Sequence, residues 1–202
     1  MSDAPPVLSE EICLELIAKA RRSTYSERRE DAAVEAHALR VAHLLEEVIE
    51  ADRLGLVAVV QTAARPAIEA ACYGLYYKTH PDEVERLYVG EIRERERVAK
   101  KMGDSALAAN LPVVAAGEKA PVTWIQAYEL ALAKKGSANP ANVANMRSWY
   151  SLLSATANHA GPSALNAYVG EGGAPVHRPG PLFPTEAVVT LLGSLLGQLL
   201  EE

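Results

Sequence analysis

Residues 55–78 read GLVAVVQTAARPAIEAACYGLYYK, the longest apolar stretch of the chain and one whose few charges fall in unusual places. Val57, Val60, Ala64, Ile68, Ala71 and Leu75 recur three or four apart, the period of a helix that turns one face to a core. A second line, Gln61, Arg65, Glu69, Cys72 and Tyr76, runs beside the first at the same spacing. Arg65 and Glu69 therefore share one flank of an otherwise oily helix. Charges in such places are rarely buried unless they are paired, so both demand partners.

Working outward, a long helix over about 27–53 precedes this stretch, with Val34, Leu39, Val41, Leu44, Leu45 and Val48 on its apolar face and Gly55 just past its end as a cap. Ser9 is placed to cap a first helix, with Ile12, Leu16 and Lys19 along one line. Beyond the turn at Thr79–Pro81, the spacing of Val84, Tyr88, Glu91, Arg95, Val98 and Met102 predicts a helix ending at Gly103, packed on the central one. Further helices are expected over about 121–135, with Trp124, Ile125, Tyr128 and Leu132, from Asn139-Pro140 to about His159, and over 185–202. No repeat and no alternation of strand and helix patterns is visible. The chain reads as one all-α domain, a bundle of six or seven helices with residues 55–78 the most buried. Residues 1–8 form a loose lead-in, and 161–184 a long Gly/Pro-rich loop.

Composition narrows the function classes. At 202 residues, 49% hydrophobic and 23% charged, the chain has an ordinary globular balance and enough length for a sizeable core. No apolar run reaches the roughly 18 residues of a membrane span. The start, MSDAPPVLSEEI, is acidic and unlike a secretory signal. Cys13 and Cys72 lie apart in apolar helical pattern, which suits two reduced core thiols and a cytoplasmic protein. The net charge of −6 argues against broad nucleic-acid binding. Only the patch of Arg21, Arg22, Arg28 and Arg29 leaves room for a phosphate contact, and a solvated helix end accounts for it as well.

No cofactor or metal is expected. His37 and His43 are six apart and fall on different faces, and no Glu-x-x-His pair of the di-iron bundles occurs. No P-loop, Rossmann turn or Ser-His-Asp order is present. What remains is a polar centre. Arg65 and Glu69 on one helix face Tyr88, Glu91 and Arg95 on the next if the two pack antiparallel. The segment WYSLLSATANHAG adds Tyr150 and Ser154, stacked four apart, and His159 near a helix end. A structural ion-pair network and an anion-holding pocket, with Arg65, Glu69 and His159 as candidate catalytic groups, are the two readings.

RPAIEAACYGLYY, the Glu/Arg-rich helix after it and YSLLSATANH together resemble a family of uncharacterised bacterial helical proteins. That family's pattern is Arg-x-x-x-Glu on a central apolar helix and Tyr-x-x-Leu-Ser with a His further on. Arg65 and Glu69, then Tyr150, Leu153, Ser154 and His159, match it over about 55–160. The resemblance implies an all-helical domain with these residues as its polar centre, and no activity. A more distant likeness is to HEPN domains, helical nucleases of toxin and defence systems, whose Arg stands four to six residues before a His. Here the nearest Arg before His159 is Arg147, so that hallmark is missing.

Two functions follow as expectations. One is a non-catalytic helical module acting by protein-protein interaction as a homodimer through the C-terminal helix, whose paired leucines are wider than one core-facing side needs. The other is an HEPN-like RNA- or nucleotide-processing enzyme centred on Arg65, Glu69 and His159.

Overall fold

The computed structural model describes residues 8–22, 28–103, 106, 109–110, 122–157 and 184–201. Among them are seven helices and no strand: α1 (Glu10–Arg22), α2 (Arg29–Arg53), α3 (Val57–Thr79), α4 (Glu85–Met102), α5 (Trp124–Lys134), α6 (Pro140–Ala157) and α7 (Thr185–Leu200), with a single 3-10 turn (Pro81–Glu83) leading into α4. The fold is all-α, as the helical periods predict. The lead-in, except Leu8, and the Gly/Pro-rich loop, except Pro184, lie outside the described residues.

Local chemistry sets the ends of these elements. Ser9 accepts the Ile12 backbone N–H at 3.3 Å, the N-cap its sequence announces. Thr123 and Gln126 form a capping box that starts α5. Gly55 after α2 and Gly103 after α4 take φ of +67° and +69°, a region where a side chain would be strained.

α3 is the hub, contacting α2, α5, α6 and α7. Val60, Ala64, Ile68, Ala71 and Leu75 are at most 2% exposed, and the second line adds buried Gln61, Cys72 and Tyr76. The partners in one continuous core are Val41, Leu45 and Val48 of α2, Leu132 of α5, Leu153 of α6 and Leu192, Leu195 and Leu196 of α7. Pro66 sits inside α3, where its missing N–H leaves the Thr62 carbonyl without its usual donor. Among the described residues no helix is long and apolar enough to cross a membrane.

Three expectations need correction. α4 does not lay its predicted stripe on α3: among the described residues Val98 and Met102 are exposed, Val84 joins a cluster with Tyr76 and Tyr77, and Arg86 at the start of α4 reaches Tyr76. A helix carrying this many charges has too little apolar surface to hold a place against the hub. In α1 the buried line is Cys13, Ile17 and Ala20, one residue round from the predicted one, and Ile12 is exposed. The apolar face of α7 is not left over. Val188, Leu192, Leu195 and Leu199 are buried against α1, α2 and α3, and Glu186 is the one exposed residue of the helix.

Candidate functional site

The demand that Arg65 and Glu69 be paired is met from α6. Arg65 Nε donates to the Tyr150 hydroxyl at 2.7 Å, and that hydroxyl donates to Glu69 Oε1 at 2.5 Å. Arg65 and Glu69 also lie 3.5 Å apart directly, as their one-turn spacing on α3 allows. The Arg65 guanidinium sits over the Tyr150 ring at 4.8 Å, and the Trp124 ring of α5 stacks on the same ring at 4.3 Å. The Tyr150 ring thus touches both a guanidinium and an indole while its hydroxyl bridges a cation and an anion. Burial first, then the bond to Glu69, raises its pKa, partly opposed by Arg65. The phenol keeps its proton at neutral pH.

Of the eight residues read as a polar centre, Arg65, Glu69 and Tyr150 are in bonding contact. Ser154, one turn further along α6, has a buried hydroxyl with no hydrogen-bond partner among the described residues. Arg95 is exposed on α4, and Glu94 of the same helix pairs with its own neighbour Arg97. The side chains of Tyr88 and Glu91, and all of His159, lie outside the described residues. In the basic patch, Arg21 grips Glu46 with both terminal nitrogens and is spoken for within the chain.

The groove between α2 and α3 went unread in the sequence. One half is a trough of about 400 Å³ lined by Leu44, Ala58, Val59 and Ala63, with Arg40 and Glu47 on its α2 rim. The other half is a cleft of about 290 Å³ that carries His37, Glu69 and Tyr73, and the two halves share Arg40 and Pro66. His37 Nδ1 donates to the Ala33 carbonyl at 2.7 Å, and its ring lies 5.7 Å from that of Tyr77 and 6.4 Å from that of Tyr73. Burial lowers its pKa, so it is neutral at pH 7. The legible signal was His37 and Arg40 one turn apart on the same α2 flank.

Val59 of the trough belongs to an exposed apolar patch. Leu54, Leu56 and Val59 are 64%, 47% and 44% exposed within six residues of chain around the α2–α3 turn. Such a cluster differs from singly scattered surface leucines.

Compared with known proteins, the chain matches no family model, no curated protein and no solved structure.

Proposed function

We propose that the protein is a helical module that acts by protein-protein contact, with a second copy of itself as the partner and the α2–α3 groove as the contact. The observation that carries this reading is the exposed patch of Leu54, Leu56 and Val59, the last of which also lines the trough with Leu44 and Ala63. The rim favours a like partner. Arg40 and Glu47 lie two helical turns apart on the same side of α2, and in a two-fold contact Arg40 of each copy meets Glu47 of the other. The α7 surface, already covered inside the chain, offers far less for a dimer. The Arg65–Tyr150–Glu69 group supports the same reading from the other side: its members bond to one another, which suits a clamp between α3 and α6 better than a poised reaction centre. Two free, buried thiols suit a reducing compartment such as the cytoplasm.

Sedimentation of the full chain at micromolar concentration, beside Leu54→Asp and Val59→Asp, tests this. The wild type should be a dimer and both variants folded monomers. A monomeric wild type, or variants that stay dimeric, would remove the proposal.

The second reading is RNA or nucleotide processing at Arg65, Glu69 and His159. It is favoured by one feature: only Nε of Arg65 makes a hydrogen bond among the described residues, and its side chain is 34% exposed, enough to take an anion. Incubation with RNA and nucleotides, with Arg65→Ala as control, decides it. Cleavage by the wild type that disappears in the variant would replace the module reading.

A further inference from the structure

The polar half of the α2–α3 groove has the chemistry of a ligand site. The His37 ring bonds the Ala33 carbonyl through Nδ1, and because a carbonyl only accepts, Nδ1 carries the proton and Nε2 is an acceptor. Glu69 spends Oε1 on Tyr150 and Arg65, leaving Oε2 without a partner among the described residues. Arg40 stands exposed on the same cleft. The cleft therefore carries two acceptors, one from each helix, and the Arg40 guanidinium, with Tyr73 and Pro66 also among its lining.

We propose that this cleft binds a small zwitterion of the amino-acid class, its ammonium held by Glu69 Oε2 and His37 Nε2 and its carboxylate by Arg40. The charges complement one another: a carboxylate and a neutral imidazole attract an ammonium, and a guanidinium is the best side chain for a carboxylate. At about 290 Å³ the cleft is at the small end of ligand sites, room for a single amino acid and too little for a dinucleotide. Tyr150 contributes indirectly, by fixing the Glu69 carboxylate through Oε1. The inference rests on the cleft, but Arg40 also lines the trough of the docking reading, so ligand and second copy would compete for it; Glu69→Gln, outside that contact, separates the two.

The test is nuclear magnetic resonance titration of the full chain with each of the twenty L-amino acids, following backbone amides of residues 36–40 and 66–73. The best binder is then compared with its N-acetyl and decarboxylated derivatives and with inorganic phosphate. At least one amino acid should bind and move those amides, with both derivatives weaker by roughly tenfold or more, as loss of a charge-assisted contact predicts. Arg40→Met, at an exposed position where the fold has little at stake, should weaken binding by a similar factor, and so should Glu69→Gln. Four outcomes overturn the proposal: no amino acid moves these amides, the decarboxylated amine binds as well as its parent, phosphate binds as well as the amino acid, or Arg40→Met leaves affinity unchanged.

Discussion

Tyr150 donates its phenolic proton to Glu69 across 2.5 Å, joining α6 to α3 over 81 positions of sequence. With Arg65 donating to the same hydroxyl, this bridge is a polar tie between the two helices. We predict that Tyr150→Phe destabilises the chain by about 1–2 kcal/mol, since a hydrogen bond to a charged group contributes about 1.5–3 and solvent screens this partly exposed one. The Trp124 stack should survive, so the loss reads the hydroxyl alone. Urea unfolding of Tyr150→Phe, Glu69→Gln and the double variant measures it. The double variant should cost less than the sum of the singles, and strict additivity would show that the bridge contributes nothing.

Gly193 and Gly197 make a paired prediction on one helix. A Cβ at Gly193 would meet Cys13 Sγ at 2.7 Å and Leu8 at 3.1 Å, whereas at Gly197 the nearest atom is 3.9 Å away. Gly193→Ala should cost about 1–3 kcal/mol through forced separation of α1 and α7. Gly197→Ala should be neutral or stabilise by up to about 1 kcal/mol through helix propensity. Thermal unfolding of both variants checks the contrast, and equal effects would contradict this packing.

The C-terminal end of α7 is held by lysines from two other helices. Lys78 Nζ donates to the carbonyls of Gln198 at 3.0 Å and Leu199 at 3.1 Å, and also to that of Glu201, while Lys19 Nζ donates to that of Leu200 at 3.0 Å. These carbonyls have no partner within the helix, and cations at this end also oppose the helix dipole. Lys78→Met should cost about 1–2 kcal/mol and speed amide exchange in the last turn of α7. Unchanged exchange there would mean that the lysine is incidental.

His37 gives the acid side of the stability profile a direction. Burial lowers its pKa, opposed in part by the Ala33 bond, and the groups facing it are Tyr73 and Tyr77, with Arg40 and Glu69 along the cleft. The folded chain thus refuses a proton that the unfolded chain accepts. Its contribution is intact above the ordinary histidine pKa of about 6.5 and is lost as pH falls below that. The urea midpoint of the wild type should drop between pH 7 and pH 5, and His37→Gln should flatten part of that slope. An identical slope in the variant would show that His37 titrates freely.

Periodicity revealed the hub because burial on a helix is a local pattern: Val60, Ala64, Ile68, Ala71 and Leu75 are all buried as spaced. The need of Arg65 and Glu69 for partners was equally legible, since charges in an oily helix carry a large desolvation cost. Who supplies the partner was not. The next helix in sequence offered Tyr88, Glu91 and Arg95, yet the group is completed by Tyr150, because neighbours in space are set by packing and α4 has little apolar surface to pack with. The breadth of the α7 leucine face was visible too, but not that three helices would share it. The neutral state of His37 and the exposure of Leu54 and Leu56 depend on surroundings that spacing alone does not encode.

Self-pairing through the α2–α3 groove can be tested by one mixing experiment. In a two-fold contact Arg40→Glu places acid against acid at both ends, and Glu47→Arg places base against base, so each variant alone should sediment as a weakened dimer or a monomer. Mixed in equal amounts, the two chains present opposite charges at both ends, and the account predicts that a heterodimer forms at micromolar concentration and weakens with added salt. Both variants dimerising as well as the wild type, or a mixture that stays monomeric, would contradict it.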